Sequence, residues 1–487
     1  MARYTHDILV LGGGAGGLTA AVGFAQLGLK TAIIDRERLG GDCLYYGCVP
    51  SKTLLKSASV YQQARNFPAY GLPELTLPEP DMAGINARIQ EVIQGIAYHD
   101  SPDRFRAMGA EVYFGTARFT SPHELLVNES ETLSARSMVI ATGSSPRSLP
   151  IPGLDDTGYI TNLDVFSLER RPNRLLVIGA GPIGIEMTQA FLRLGSSVTT
   201  LDVAPRILPK DDADMTELVR RRILADGGDL RLGVKISRVE KTAEGKRIVL
   251  ATDDGEEAID GDEILLAAGR KGNIDGLDLE KAGIQVEKGF IKADSRLRTS
   301  QRHILAVGDV NGRYLFTHVA GAEGSVAVRR LGLRVGGNMN YRAVPWVTYT
   351  DPEVASIGYN EESAREAGIA YDVIVQSMDS NDRANAEGEP EGVMKVLTDK
   401  RGRVIGTQVT ALHASDLLLP SLYAVGESWK VSRIMKPIFP YPSLGEIHKK
   451  AISGFMAPKL FNPRVRRILR LLHGYRGEVP AEGAYHG

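Results

Sequence analysis

The chain has 487 residues, too many for one ordinary domain and enough for three or four. Its 58 basic and 59 acidic residues leave a net charge of −1, which gives no global field for nucleic acid. Only two cysteines are present, which excludes a disulfide scaffold and a multi-cysteine metal site, and no metal ligands are predicted. The first residues run into a strand without an apolar leader, and no uninterrupted run of about 18 apolar residues occurs. The expected compartment is a cytoplasm that keeps thiols reduced.

Residues 7–11, Asp-Ile-Leu-Val-Leu, read as a buried strand, followed by Gly12-Gly13-Gly14-Ala15-Gly16-Gly17. This run contains G-x-G-x-x-G through Gly12, Gly14 and Gly17. A helical pattern then reaches about Gly28, and a second strand, Thr31-Ala32-Ile33-Ile34, ends on Asp35. Strand, glycines, helix, strand and acid together form the βαβ dinucleotide fingerprint.

Next comes Gly40-Gly41-Asp42-Cys43-Leu44-Tyr45-Tyr46-Gly47-Cys48-Val49-Pro50-Ser51-Lys52-Thr53, with both cysteines. A regular helix would separate the two Cα atoms by about 7.5 Å along its axis. A disulfide needs roughly 4.4–6.8 Å, so pairing requires a bent turn. Gly47 permits the bend and Pro50 removes an amide proton behind it. Lys52, four positions after Cys48, can favour a thiolate or an anionic cofactor. From the pair alone, a redox dithiol, a structural clip and two free buried thiols all remain open; a clip closing so small a loop would stabilise little.

Residues 55–110 read as helices around a Pro-rich loop near 73–80. Residues 111–140 alternate as strands and return to Ala141-Thr142-Gly143, and residues 146–152 read as a linker. The fingerprint then recurs. Residues 174–178 lead into Gly179-Ala180-Gly181-Pro182-Ile183-Gly184, a helix to Gly195, and a strand ending on Asp202. In both copies the acid lies 23 positions after the first glycine, 12 to 35 and 179 to 202. Two fingerprints imply two dinucleotides and hydride traffic between them.

Residues 231–267 alternate again and end at Ala268-Gly269-Arg270; a strand at 303–307 runs into Gly308-Asp309. Residues 345–410 with helices near 414–430 and 443–455 form a separate α+β unit. The segment Arg464-Val465-Arg466-Arg467-Ile468-Leu469-Arg470-Leu471-Leu472 is basic, with Val465, Ile468, Leu469 and Leu472 at helical spacing. It predicts a helix docked on its own dimer or touching a membrane surface or partner at 462–473.

Residues 5 to about 455 resemble the flavin-dependent pyridine nucleotide–disulfide oxidoreductases, which include dihydrolipoamide dehydrogenase, glutathione reductase and mercuric reductase. The resemblance rests on the C-x4-C-V-P-S-K box, both fingerprints, Ala141-Thr142-Gly143 and Gly308-Asp309. It implies an α/β fold with two Rossmann-like domains, for FAD and NAD, and a C-terminal α+β dimerisation domain. The expected divisions are 1–150 and 273–342 for the FAD and central parts, 151–272 for NAD(P), 343–455 for dimerisation, and 456–487 for the tail.

The same resemblance implies FAD on Gly12, Gly14 and Gly17, with Asp35 at its adenosine ribose, Asp309 at its ribitol, and Lys52, Ala117, Thr142, Gly143 and Thr317 as further contacts. It implies NAD on Gly179, Gly181, Gly184 and Asp202, with Gly269 and Arg270 nearby. Asp202 favours NADH over NADPH, because a carboxylate repels a 2′-phosphate, although Arg206 lies close enough to soften this. Lys52 and Glu186 match the family's ion pair. Cys48 matches the flavin-side thiolate and Cys43 the outer sulfur.

One stretch departs from the pattern. Family disulfide reductases carry His-Pro-Thr-x-x-Glu, whose His is supplied across the dimer interface. Here the stretch is Tyr441-Pro442-Ser443-Leu444-Gly445-Glu446. Mercuric reductases also place a Tyr there, but this chain has no cysteine after Cys48 and has Pro182 where they carry Tyr. The expected function is electron transfer from NADH through FAD and the dithiol to a disulfide, persulfide or thiol-bound metal, in a homodimer. Alternatives are a dihydrolipoamide dehydrogenase, a membrane-surface flavin reductase of quinones or metal ions, and a redox-responsive binding protein without turnover.

Overall fold

The computed structural model describes residues 4–477. Residues 478–487 of the expected tail lie outside the described residues. The chain divides into two compact units, one ending at Asp351 and the other starting at Pro352. Within the first unit we propose the finer divisions at 150, 272 and 342, because each fingerprint carries its own parallel sheet.

The first sheet runs Ala110–Phe114, Thr31–Asp35, His6–Leu11, Glu131–Ile140, with Ile304–Ala306 beside the last. These neighbours are parallel, with Val10 facing Ile33 on one side and Val139 on the other. Their run of apolar residues suits strands buried on both faces, and Leu9, Val10, Ile33 and Val139 are fully buried. The first half of Glu131–Ile140 leaves this sheet to pair antiparallel with Glu124–Val127, which pairs with Ala117–Ser121.

The second parallel sheet orders Asp229–Leu232, Ser197–Asp202, Arg174–Ile178 and Glu263–Leu266. An antiparallel three-stranded sheet over 235–261 accounts for the alternation read there. Helices Ala15–Gln26 and Pro182–Arg193 follow the two glycine runs.

The glycine spacing has the same steric cause in both copies. Gly12 has φ +104°, and a Cβ on it would lie 2.2 Å from the Ala141 carbonyl oxygen; Gly179 has φ +118°, and its Cβ would lie 2.6 Å from that of Ala267. A side chain at either position would push apart strands that must touch.

The second unit is an antiparallel sheet ordered Glu353–Gly358, Val404–Ala411, Val393–Asp399, Tyr371–Ser377. Helices Leu419–Gly426 and Glu446–Leu460 follow the sheet in sequence. The basic segment forms helix Pro463–His473, capped by the Asn462 side chain, and none of its residues is buried.

Candidate active site

The cysteine box is bent at Gly47, where one helix gives way to the next. A short helix, Gly41–Tyr45, carries Cys43, and a long one, Cys48–Arg65, begins at Cys48. The helix therefore starts some residues earlier than the pattern from 55 suggested, since Pro50 is tolerated in a first turn. Gly47 between them allows a close approach: a Cβ there would lie 3.0 Å from the Cys43 Cα and 3.2 Å from the Asp42 carbonyl oxygen. Cys43 is half-buried and Cys48 exposed, and both are free thiols in this structure.

Their acidities diverge. A hydrogen bond from Cys43 to the Cys48 sulfur brings the Cys48 pKa down to about 6 against the opposing effect of burial, helped by Thr317 and the charge of Lys52. That bond, burial and the neighbouring charge hold the Cys43 thiol protonated, far above its ordinary range. The Thr317 hydroxyl lies 3.6 Å from the Cys48 sulfur. Cys48 also opens a helix, where the dipole favours a thiolate.

One turn on, Lys52 Nζ donates to both oxygens of Glu186 at 3.0 and 2.8 Å. Glu186 is 4% exposed and also accepts the Tyr349 backbone N–H at 2.9 Å. A buried carboxylate needs such partners, so the Lys52–Glu186 pairing expected from the sequence is present in the geometry. Tyr349, whose ring lies 4.5 Å from Lys52 Nζ, carried no sequence signal.

The two fingerprints suit dinucleotides. In the first, Asp35 accepts the Gly13 N–H at 2.6 Å; in the second, Asp202 accepts the Ala180 N–H at 2.6 Å. Each acid thereby anchors the tight turn at the head of its helix. Gly181 would project a Cβ into open space there, and Gly14 would meet nothing nearer than 3.9 Å, so both leave a cradle beside helix-end amides. Ala117 opens its strand beside Gly115, whose N–H donates to the Asp35 carbonyl.

Arg270 is drawn toward the cysteine box. It pairs with Asp42 at 3.0 Å and donates to Ser144 Oγ, which donates to Asp309 at 2.6 Å. Burial raises the Asp309 carboxyl above its ordinary range, opposed by Ser144 and Arg270. Gly269 accepts the Arg147 N–H through its carbonyl.

Thr142 Oγ1 donates to the Asn273 carbonyl, and Asn273 Nδ2 donates back to the Thr142 carbonyl, both at 2.8 Å. Asn273 and buried Glu323 were missed in the sequence. Glu323 accepts the Gly308 N–H at 2.6 Å and the Tyr341 hydroxyl at 2.6 Å, fixing the turn that carries Asp309. Neither sits in a recognisable motif; only tertiary contacts single them out. Asn273→Ala deletes side-chain bonds to Thr142 and Ser145. It is expected to lower stability by about 1–3 kcal/mol, read as a denaturant midpoint.

In the second unit, Tyr441 is 72% exposed and its hydroxyl donates to Asp382 Oδ2 at 2.9 Å. That bond raises its pKa above the ordinary phenol value, and the charge of Glu446 adds to the effect. Asp382, which holds the Tyr441 hydroxyl, carried no signal in the sequence. Glu446 is half-buried at the head of its helix.

A fold with two dinucleotide fingerprints and a bent dithiol box defines a pyridine nucleotide–disulphide oxidoreductase. The chain belongs to that family: residues 6–324 match its family model and residues 344–452 match its dimerisation domain. It is a flavoprotein disulfide oxidoreductase of the class I branch, with FAD and NAD(P) as the family's cofactors and the homodimer as its assembly. It is 32% identical over 475 residues to a dihydrolipoyl dehydrogenase of Rhizobium etli, covering 92% of this chain and 97% of that protein. It is 32% identical over 455 residues to a mercuric reductase of Bacillus cereus, covering 93% and 72%. Among solved structures, LpdA of Mycobacterium tuberculosis aligns with a TM-score of 0.84 at 27% identity, over 92% of this chain and all of that one. The HOCl-induced flavoprotein disulfide reductase RclA of Escherichia coli, solved as a Cu(II) complex, aligns with a TM-score of 0.81 at 26% identity, over 92% and 99%.

Proposed function

We propose that this enzyme is an NADH-preferring reductase whose Cys43–Cys48 dithiol delivers electrons to a pre-activated sulfur species or a thiol-bound soft metal ion. What supports this reading is the asymmetric dithiol: Cys48 opens a helix with Thr317 3.6 Å from its sulfur, and the hydrogen bond from Cys43 lowers the Cys48 pKa while raising that of Cys43. FAD, when bound on Gly12, Gly14, Gly17, Asp35, Ala117, Thr142, Gly143, Asp309 and Thr317, supplies two-electron traffic between the nicotinamide and the dithiol. The chain's own residues do the rest. Lys52, balanced by Glu186, and Thr317 stabilise the Cys48 thiolate. Cys43 holds a transferable proton at its sulfur and is the outer nucleophile once ionised.

The acceptor follows from the proton inventory. Reducing an ordinary disulfide needs a group that takes and returns a thiol proton. Tyr441, bound to Asp382, has its acidity weakened further and is a poor base at neutral pH. Acceptors that need little proton transfer are favoured. Two similar proteins carry a metal in their names or crystals, a mercuric reductase and the Cu(II) complex of RclA. In this reading a soft metal ion is the acceptor, met by the two cysteine sulfurs. A steady-state screen over lipoamide, glutathione disulfide, Hg(II), Cu(II) and a persulfide tests this, and lipoamide as the fastest acceptor would overturn it.

The nicotinamide preference rests on Asp202 and its neighbour. Asp202 accepts the N–H groups of Ala180 and Ala204, which fixes its carboxylate at the strand end. Arg206, close to Asp202 in sequence, donates to the Asp211 and Pro209 carbonyls of its own loop. The expected result is kcat/KM at least about 10-fold higher for NADH, with Asp202→Ser narrowing the gap. Equal values for both nucleotides would refute it. The active enzyme is proposed as a homodimer in the cytoplasm with Tyr441 and Glu446 contributed across the interface, and its basic tail is proposed to reach the inner membrane surface.

A further inference from the structure

Helix Pro463–His473 is capped at both ends, and none of its residues is buried. Asn462 caps its start by accepting the Val465 N–H at 3.0 Å, and Gly474 closes its end with φ +65°. Val465, Ile468, Leu469 and Leu472 fall at i, i+3, i+4 and i+7, a stripe on one side of the helix. Ile468 is 53% exposed and Leu472 71%. An 11-residue helix is marginal in water by itself, so a stripe left in solvent implies a surface that covers it.

Charge selects that surface. Arg464, Arg466, Arg467 and Arg470 lie on the rest of the circumference together with Leu471, which is 79% exposed, Lys459 and Arg476 flank the helix, and no acidic residue lies between 459 and 477. Phe461 and Tyr475, both exposed, stand at the two ends, where aromatic rings favour a membrane–water boundary. A nucleic acid would engage the arginines but leave the leucines in water. A second copy of this helix would oppose cation to cation. At about 16 Å the helix is too short to span a bilayer, and no helix among the described residues is long and apolar enough to cross one.

We infer that this helix is an interfacial anchor for bilayers of anionic phospholipid: the stripe enters the headgroup boundary while the arginines meet lipid phosphates. The inference is independent of which acceptor the dithiol reduces. It places the enzyme where a membrane-bound partner or a lipid-soluble acceptor is concentrated.

The test is co-sedimentation of the full-length FAD-loaded dimer with vesicles of phosphatidylglycerol and phosphatidylcholine, beside vesicles of phosphatidylcholine alone. Binding is expected only to the anionic vesicles and should fall with salt. Each of Arg466→Ala, Arg467→Ala and Arg470→Ala should weaken it by about 5-fold. The double variant Ile468→Glu/Leu472→Glu should abolish it while leaving NADH-dependent activity in solution unchanged. No sedimentation of the wild type would overturn the inference. So would charge-independent binding. If the double variant instead lowers dimer mass or melting temperature and the wild type ignores vesicles, the stripe covers its own dimer.

Discussion

Cys43→Ala is expected to lower turnover of every dithiol-dependent acceptor by on the order of 10³ or more, because the remaining sulfur cannot close a disulfide. The variant also separates two roles. The largest cause of the low Cys48 pKa is the hydrogen bond from Cys43, ahead of Thr317 and Lys52. Without that donor the Cys48 pKa should rise from about 6 toward the ordinary thiol value of about 8.5. It should stop short of that value, since Lys52, Thr317 and the helix N-terminus remain. In the wild type, Cys48 is mostly thiolate at neutral pH and loses that form as pH falls through about 6. In Cys43→Ala the same loss should occur at higher pH. Rates of alkylation by iodoacetamide across pH report the shift directly, with no dependence on turnover. An anaerobic titration should show the wild type taking up two electrons more per subunit than the variant. An unmoved alkylation profile would show that Cys43 does not poise Cys48.

Tyr441→His should raise lipoamide turnover by about 10²-fold or more, the contribution expected of a general base restored where only a phenol stood. The wild-type phenol is bonded to Asp382 and pushed away from ionisation, so it cannot take up a thiol proton near neutrality. An imidazole titrates near pH 6.5, and the variant's activity should rise with pH through about that value before levelling. Metal-ion reduction, which needs no such base, should change little. The measurement is kcat/KM for lipoamide and for Hg(II) in both proteins as a function of pH. Fast lipoamide turnover in the wild type, unaltered by the substitution, would remove Tyr441 from the account and favour a dihydrolipoamide dehydrogenase.

Both predictions turn on residues that stand out in the sequence; Cys43 acts through Cys48, which stands out with it, whereas Tyr441 is held by Asp382, which does not. The sequence by itself determined the class: repeated strand–glycine–helix–strand–acid units and the Cys43–Cys48 box are local patterns, and local sterics enforce them. Gly12 and Gly179 are each required by an approach of backbone to backbone that a Cβ would block, and at Gly47 a Cβ would be a tight fit against Cys43. The Lys52–Glu186 pair joins residues far apart in the chain and was legible only because the family resemblance supplied the partner.

What the tertiary structure decided lies where long-range contacts choose among equally plausible side chains. Arg270 could have faced a nucleotide; the fold joins it to Asp42, Ser144 and Asp309. The fold gives Tyr441 a partner in Asp382, since a helix start and a loop bring those groups together without any fixed spacing. Asn273 and Glu323 carry no motif at all. Glu323 is buried, which makes an unsatisfied polar group costly there, and the partly buried Asn273 ties Thr142 to Ser145 through its side-chain hydrogen bonds, so both hold the backbone of the site in place.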